Sequence, residues 1–243
     1  MSAACVSVKG LSVRYGEAWV LDHVDFECEP GQFVAIVGKS GTGKTTFLNA
    51  LAGFIPYEGT IAPSPPPKLG YVFQDHALFP WLTVQKNVEF GLEHLSRGRR
   101  LERAREVLRR TELLDFAARY PWQLSGGQVQ RVALARFLAP EPELLLMDEP
   151  YGALDVNTRE KMQNWLLHVW QESRKTIIFV THSIDEALFL ADRLLVLRQG
   201  RFVLDLNVPF ARPREPQLRF GPDFQEVKQR VLAQMEDSAN SAV

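Results

Sequence analysis

Five short runs of apolar residues punctuate the chain. They lie at residues 33–37, 69–73, 144–147, 176–180 and 194–197. A run of this length without polar alternation predicts a strand that is buried on both faces, which is typical of a parallel sheet. Between several runs, apolar residues recur at helical spacing, at 45–52, 157–171 and 184–191. Strands that alternate with helices in this way predict an α/β domain with a mainly parallel sheet.

Two regions depart from this pattern. The first thirty residues alternate loosely between apolar and polar positions, which predicts early strands of a half-buried sheet. From about residue 83 to 136 there is no strand candidate, and apolar residues recur at helical spacing. We therefore predict one domain over residues 1–243 in which a helical lobe is inserted into a catalytic core. Its parts are a core at about 1–82 and 137–210, the lobe at about 83–136, and a C-terminal tail at about 211–243.

Three segments are polar enough to predict surface positions. Residues 97–110 are strongly basic, which indicates a solvated helix face with its loop rather than a binding site. Residues 62–68 read APSPPPK and predict a surface loop, because consecutive prolines exclude a helix. The small, polar residues after Asp237 are predicted to fray.

Composition and charge narrow the possible classes of protein. The 243 residues carry a net charge of -1, so no overall basic character points to DNA or RNA as a partner. Two cysteines, Cys5 and Cys28, cannot build a disulfide framework, and such scarcity is typical of a reducing cytosol. We recognise no secretory signal at the start, and no stretch approaches the roughly 20 apolar residues that span a bilayer. Any membrane role is therefore expected to pass through a partner protein.

A glycine-rich loop is the first candidate site. The predicted strand at 33–37 leads into GKSGTGKT and then into a helix, which is the G-x-x-x-x-G-K-T pattern in its required setting. We expect Lys44 to supply charge to the β- and γ-phosphates of ATP and the Thr45 hydroxyl to ligate Mg²⁺. The alternative, a turn that contains Lys-Thr by chance, is disfavoured by this setting. The residues predicted to bind nucleotide here are Gly38, Lys39, Ser40, Gly41, Thr42, Gly43, Lys44, Thr45 and Thr46.

Two carboxylates end the apolar run at 144–147. Asp148 and Glu149 would be costly to bury without a partner. Asp148 is placed to hold Mg²⁺, as the second acid-bearing strand of P-loop ATPases does. Glu149 would point in a different direction and polarise the attacking water. The alternative is an acidic helix cap before Pro150, and the phosphate loop in the same chain favours the catalytic role.

A second anion cradle lies at residues 124–128, which read LSGGQ. A Ser-Gly-Gly turn at a helix N-terminus favours anions. Two such loops with one nucleotide site make sense if each belongs to a different ATP. At this point the chain resembles the ABC ATPase family, in which LSGGQ is the signature motif. The resemblance implies ATP contacts from Ser125, Gly126, Gly127 and Gln128.

Other residues match the family in order along the chain. The resemblance implies that Tyr15 stacks on adenine, that Gln74 senses magnesium and the permease, and that His182 contacts the γ-phosphate. Ala153-Leu154-Asp155 would form a loop that crosses the dimer interface. Taken singly, His182 is better explained as an ordinary strand-end histidine and Tyr15 as a surface aromatic, and Gln74 by itself carries no signal. The implied catalytic residues are Lys44, Glu149 and His182, and the implied magnesium ligands are Thr45, Gln74 and Asp148.

The family resemblance also implies a fold, an assembly and a mechanism. The fold is a P-loop NTPase core with an antiparallel β subdomain and an inserted helical lobe. Two subunits, expected to be identical, trap two ATP molecules head to tail, and the dimer drives separate transmembrane permease subunits. The permease is expected near Gln74, where Phe73, Leu78, Phe79 and Trp81 would offer apolar anchors. The alternative is that these four side chains pack the lobe onto the core.

Longer stretches resemble the importer branch for taurine, sulfonates, nitrate and related small anions. They are FQDHALFPWLTVQKNVEFGL, DEPYGALDVNTREKMQ, LLHVWQE, THSIDEALFLADRLLVL, PWQLSGGQ and VPFARP. The chain departs from the branch at Val129 and Ser183, and around residues 198–202. The resemblance implies a peripheral subunit at the cytoplasmic face of the cell membrane, served indirectly by a periplasmic or surface solute-binding protein.

Three other classes remain as alternatives. An ABC ATPase that acts on DNA or ribosomes would carry a long coiled coil or two ATPase units, and only about 50 positions separate Gln74 from Leu124. A catalytically dead regulatory subunit is opposed by the intact site residues Lys44, Asp148, Glu149 and His182. An exporter commonly fuses its membrane domain to the ATPase. We expect no nucleic-acid partner.

Overall fold

Nine strands and seven α-helices follow one another in the part of the chain that the structure describes. The computed structural model describes residues 5–63, 68–74, 78–152 and 154–236. The strands are β1 (Val6–Tyr15), β2 (Ala18–Cys28), β3 (Phe33–Val37), β4 (Glu58–Ala62), β5 (Leu69–Val72), β6 (Leu144–Asp148), β7 (Thr176–Thr181), β8 (Arg193–Arg198) and β9 (Arg201–Asn207). The helices are α1 (Lys44–Leu51), α2 (Val84–Glu89), α3 (Arg97–Arg110), α4 (Gly126–Leu138), α5 (Val156–Ser173), α6 (Ile184–Leu190) and α7 (Pro222–Met235). Short 3₁₀ turns lie at Phe90–Leu92, Leu114–Phe116, Pro121–Gln123 and Pro216–Phe220.

These elements form two compact units. The first unit comprises Met1–Pro66 and Thr176–Val243, and the second comprises Pro67–Lys175. None of the helices within the described residues combines the length and the apolarity needed to cross a bilayer.

The first unit contains a three-stranded antiparallel sheet in the order β2-β1-β4. Val6 pairs with Cys28 and Val8 pairs with Phe26, and all four side chains are buried. Alternate positions thus face the core, as the loose alternation of the first thirty residues predicts. Burial raises the pKa of the Cys28 thiol to about 12, so this cysteine stays protonated.

A second sheet in the first unit has β3 at its centre. β3 is parallel to β7 on one side and to β8 on the other, and β9 closes the edge antiparallel to β8. All five residues of β3 are buried, because the strand is covered on both faces. The helix α6 packs on β3, and α7 packs on α6 and β8.

The second unit joins a parallel strand pair to a helical lobe. β5 and β6 pair in parallel, with Val72 opposite Met147. The lobe has its own apolar core, formed by side chains from α2, α3, α4 and the turns that join them: Val84, Val88, Leu92, Ala104, Val107, Leu108, Leu113, Val132, Ala135 and Ala139. The helical spacing read between residues 83 and 136 thus corresponds to helices that pack on one another.

The predicted fold class is confirmed, and the central strands and helices stand where the apolar runs predict them. Three elements were missed by the sequence analysis: β4, β9 and α7. The strands β4 and β9 carry intermediate or exposed side chains, and the apolar residues of β9 are interrupted by Asp205. The predicted boundaries of core, lobe and tail stay predictions. Most of the loop expected at 62–68 and all of the chain after Glu236 lie outside the described residues.

Candidate functional site

In the first unit, β3 leads into the glycine-rich loop, and α1 begins at Lys44. Gly43 lies at φ +100°, where an L side chain is strained, and a Cβ there would lie 2.9 Å from the Val20 carbonyl oxygen. A Cβ on Gly38 would lie 2.5 Å from the Leu197 carbonyl oxygen. Only glycine therefore fits at these two positions, because β2 and β8 crowd the loop from two sides.

The ammonium group of Lys44 lies across this loop. Its Nζ donates hydrogen bonds to the carbonyl oxygens of Gly38 at 2.9 Å and Lys39 at 3.0 Å, and the residue is 5% exposed. The hydroxyl of Thr42 donates to the same Lys39 carbonyl at 2.9 Å. No side chain caps the N-terminus of α1, so the amides of its first turn remain available to an external acceptor. A buried cation beside uncapped helix amides suits a phosphate.

His182 reaches the same edge of this sheet. β3 and β7 are parallel neighbours with Val37 opposite Thr181, so Gly38 and His182 both follow the carboxyl ends of adjacent strands. The Thr181 hydroxyl donates to Glu186 Oε2 at 2.6 Å and accepts from the Ser183 amide at 3.0 Å. This network holds the turn that presents the exposed His182. Ser183 also caps α6 by accepting from the Glu186 amide at 3.3 Å, a role that aspartate fills equally well.

In the second unit, the buried strand β6 ends at Asp148, which is 6% exposed. Glu149 follows at φ +43°, a backbone conformation that is strained for a residue with a side chain. Burial, assisted by the charge of Asp148, raises the pKa of the Tyr71 hydroxyl on the neighbouring strand. The strain and the buried acid lie at the predicted catalytic carboxylates, where functional strain is commonly found.

Gln74 follows β5 in the same unit and lies close to these acids. A Cβ on Gly152 would lie 4.0 Å from Gln74 Nε2 and 3.5 Å from the Glu149 carbonyl oxygen. The amide of Gly152 donates to that carbonyl at 3.1 Å, which closes the turn after Glu149. The structure thus brings Gln74 beside the backbone of the acidic turn, from a position 75 residues away in sequence.

The LSGGQ turn begins α4 with a reciprocal cap. Ser125 Oγ accepts from the Gln128 amide at 3.4 Å, and Gln128 Oε1 accepts from the Ser125 amide at 2.9 Å. A Cβ on Gly127 would lie 2.8 Å from Thr158 Cγ2, so a side chain there would have to displace Thr158 on α5. Ser125 and Gly126 remain exposed, and their position at a helix start is open to an anion.

Gln130 connects this helix to the acidic turn. Its side chain is buried, and Nε2 donates to the Pro150 carbonyl oxygen at 2.5 Å. The start of α4 and the residues after Glu149 are therefore held together within the second unit. Sequence reasoning missed Gln130, because a glutamine inside a helix carries no signal of a long-range hydrogen bond. Asp155 caps α5 by accepting from the Thr158 amide at 3.1 Å.

Residues 21–152 match the family described as ABC transporter. The chain belongs to that family. A taurine import ATP-binding protein of Pseudomonas syringae is 42% identical over 95% of this chain and 95% of its own length. A taurine import ATP-binding protein of Escherichia coli is 40% identical over 95% of this chain and 96% of its own length. The predicted resemblance to the taurine branch is confirmed.

Solved structures of ABC proteins share the fold. A dimeric, post-hydrolysis state of the ATP-binding cassette MJ0796 bound to ADP and Pi matches with a TM-score of 0.73, 34% identity, and coverage of 85% of this chain and all of that one. The cbiO1 protein of Clostridium perfringens, part of the ABC transporter complex cbiONQ, matches with a TM-score of 0.79, 27% identity, and coverage of 95% and 96%. This ABC ATPase is therefore an ATP-binding, ATP-hydrolysing transport subunit.

Tyr15 ends β1 at a hairpin of this ABC ATPase, and it is 54% exposed. The neighbouring strand β2 contacts the phosphate loop through Val20. Sequence reasoning missed a second aromatic on this hairpin: Trp19 is exposed, and the guanidinium of Arg14 lies 5.7 Å from its ring centroid. Trp19 pairs with Arg14 across the hairpin, while Tyr15 pairs with Ala18. Ala153, in the predicted interface loop, lies outside the described residues.

Proposed function

We propose that this chain powers an importer of a small anionic solute similar to taurine, another sulfonate or nitrate. ATP-dependent dimerisation of two copies would drive a separate permease. The observation that carries the proposal is the presence of two helix starts suited to phosphate, one after β3 and one at Ser125, in a chain with one phosphate-loop lysine. The names of the taurine import relatives support the solute class.

The proposed roles follow from the chemistry of each side chain. Lys44 binds the β- and γ-phosphates, and Tyr15 offers an exposed ring to adenine. The Thr45 hydroxyl, the Gln74 amide oxygen and the Asp148 carboxylate are hard oxygen donors of the kind that Mg²⁺ prefers. Glu149 orients and polarises the attacking water, and His182 donates to the γ-phosphate. Bound magnesium would neutralise charge on the phosphate oxygens.

The signature residues are proposed to act on the ATP of a second, identical subunit. Ser125, Gly126, Gly127 and Gln128 would face the γ-phosphate held by the partner's phosphate loop. In a homodimer with two-fold symmetry, each contact between the subunits occurs twice, so two equivalent ATP sites would form. The dimeric cassette MJ0796, which is 34% identical, supports this arrangement.

The proposed permease contact lies beside Gln74 in the second unit. Phe73 is 38% exposed and Trp81 is 69% exposed, whereas Leu78 packs against the lobe core. Phe79 lies between Phe90, 4.5 Å away between ring centroids, and the guanidinium of Arg136 at 4.9 Å. Of the two alternatives for these apolar residues, packing accounts for Leu78, and exposure favours Phe73 and Trp81 as permease anchors. The subunit would thereby lie on the cytoplasmic face of the membrane, with a solute-binding protein on the far side.

A growth experiment tests the proposal. A strain that lacks this chain is supplied with taurine, an alkanesulfonate or nitrate as its sole source of sulfur or nitrogen, and is complemented with the wild type or with Lys44→Ala. We expect growth on at least one of these solutes to require the wild-type chain, and Lys44→Ala to fail although it is expressed. Lys9→Ala, at an exposed lysine of β1, should complement as the wild type does. Growth that is independent of the chain on all of these solutes would refute the solute class.

A further inference from the structure

The helix α3 holds the densest positive charge of the described residues. Its 14 residues include seven arginines and two glutamates, in a chain whose net charge is -1. The sequence indicates only a solvated helix face here. In the structure, some of these arginines bind a neighbouring residue, and others are exposed without a side-chain partner.

Three arginines of α3 are engaged within the second unit. Arg103 pairs with Glu106 at 2.8 Å and with Glu141 at 2.9 Å. Arg110 pairs with Glu172 at 3.4 Å, and Arg100 donates to the carbonyl oxygens of Glu93 and Leu95. These contacts tie the helix to the lobe and to α5. They account for three of the seven charges.

The remaining four arginines are exposed and unpaired. Their guanidinium groups make no hydrogen bond or ion pair with any residue in the described part of the chain: Arg97, Arg99, Arg105 and Arg109. Arg105 and Arg109 lie four residues apart on the helix, a spacing at which like charges repel one another and lower the stability of the helix. An external anion would offset that cost.

The outward face of α3 also has an apolar position and a shallow depression. Ala104, Val107 and Leu108 are buried on the opposite face. The depression has a volume of about 490 Å³ and is lined by Gly98, Leu101, Glu102, Arg105, Glu106 and Arg109. Leu101 is 37% exposed there, and a Cβ on Gly98 would meet nothing within 4 Å. Arg105 and Arg109 therefore share an open recess with the exposed Leu101, with Glu102, and with Glu106, whose carboxylate is paired with Arg103. Arg99 borders a neighbouring recess.

We propose that this face of α3, defined by Arg99, Leu101, Arg105 and Arg109, docks directly on anionic phospholipid headgroups. The inference rests on the proposed function, which brings the subunit to a membrane through a permease. Guanidinium groups bind phosphate in a bidentate manner and are weakly hydrated, which suits a headgroup. The negative cytoplasmic leaflet attracts basic segments, and Leu101 supplies apolar contact with the interface. A nucleic acid would match the charge but would leave Leu101 without a partner.

The test measures sedimentation of the full-length chain with lipid vesicles. Vesicles of phosphatidylcholine alone are compared with vesicles that also contain phosphatidylglycerol. The variant Arg99→Gln/Arg105→Gln/Arg109→Gln neutralises the face and keeps helix propensity. The control Lys9→Gln/Arg14→Gln/Arg230→Gln removes the same charge from exposed positions of the first unit. ATP hydrolysis by each preparation without vesicles shows that the variants fold.

The wild type is expected to bind only the vesicles that contain phosphatidylglycerol, and to be released as salt is raised. Each basic residue near an anionic surface strengthens binding about fivefold, so the α3 variant should partition on the order of a hundredfold more weakly. The control should stay within a factor of a few of the wild type. Leu101→Gln should weaken vesicle binding several-fold without any change of charge.

Three outcomes would overturn the inference. They are equal binding to both kinds of vesicle, an equal loss in the α3 variant and the control, and tighter binding to a DNA duplex that Leu101→Gln leaves unchanged. The last result would assign the face to nucleic acid. Loss of vesicle binding together with intact ATP hydrolysis removes this inference alone. Absence of hydrolysis in the wild type would instead refute the role proposed for the phosphate loop.

Discussion

At the scale of single residues, the phosphate loop requires glycine where a Cβ atom would clash with a neighbouring strand. Gly43 combines a positive φ with a carbonyl oxygen 2.9 Å from the place where a Cβ would stand. The G-x-x-x-x-G-K-T spacing identifies this glycine from the sequence. The spacing does not show which strands pass close enough to the loop to exclude a side chain. Val20 and Leu197 crowd the loop because β2 and β8 run past it, and pairing between strands remote in sequence decides that.

Gly43→Ala is expected to destabilise the first unit by about 1–3 kcal/mol, since the alanine takes on left-handed strain and a clash with Val20. The melting temperature, measured by circular dichroism, should fall by roughly 2–4 °C for each kcal/mol. The matched variant is Gly98→Ala, in an exposed helical position with open space around it. Because alanine favours a helix over glycine, Gly98→Ala should raise the melting temperature slightly. Equal shifts in both variants would contradict the role of crowding at Gly43.

At the scale of elements, helix starts organise the site. Ser125 caps α4, Asp155 caps α5 and Ser183 caps α6, each by accepting a backbone N–H from three residues ahead. The caps of α4 and α6 lie at predicted site residues or next to one, so the same residues that start a helix end a predicted ligand-binding loop. The sequence predicts a helix start at the Ser-Gly-Gly turn, whereas the three caps and the buried hydrogen bond from Gln130 to Pro150 are seen only in the structure.

Asp155 predicts a pH dependence of stability. The hydrogen bonds that Asp155 accepts from Thr158 lower the pKa of its carboxyl in the folded state. Its contribution is therefore fully present above the unfolded pKa, about 3.9, and is lost as pH falls through the lower folded pKa. Asparagine also caps helices but does not titrate. Between pH 5 and pH 3, the melting temperature of wild type should fall more steeply than that of Asp155→Asn, and parallel curves would refute this assignment.

At the scale of the whole molecule, the proposed sandwich of two subunits is the arrangement to test. Glu149→Gln keeps the shape of the side chain and removes the carboxylate that would polarise water. With MgATP, this variant is expected to persist as a dimer in size-exclusion chromatography with light scattering, while the wild type runs largely as a monomer. Glu149→Gln with Lys44→Ala should stay monomeric, because the phosphate loop no longer holds ATP. A monomeric Glu149→Gln protein that binds ATP tightly would count against the sandwich.

Mixed dimers test whether LSGGQ acts on the partner's nucleotide. In a dimer of one Lys44→Ala chain and one Ser125→Arg chain, one composite site collects both lesions and the other collects none. The mixture should therefore recover part of the ATPase activity that each mutant lacks alone. The control mixes wild type with the double mutant, which places one lesion in each site. If the two single mutants give no more activity than this control while mixed dimers form, Ser125 does not act in trans.

Local sequence patterns predicted the central strands, most of the helices and the candidate site residues. Fully buried strands such as β3 and β6 need continuous apolar runs, and phosphate binding needs glycine, lysine and a helix start at set spacing. Those signals are local, so they survive without a structure. The strands β4 and β9 lacked such signals. They are held by hydrogen bonds to β1 and β8, and because their side chains are not buried, they need no continuous apolar run. The tertiary structure alone decided that Gln74 lies beside the turn after Glu149, and which arginines of α3 remain unpaired. Contacts between residues far apart in sequence form only when the elements that carry them pack together. Composition and local spacing therefore do not show which residue will contact which.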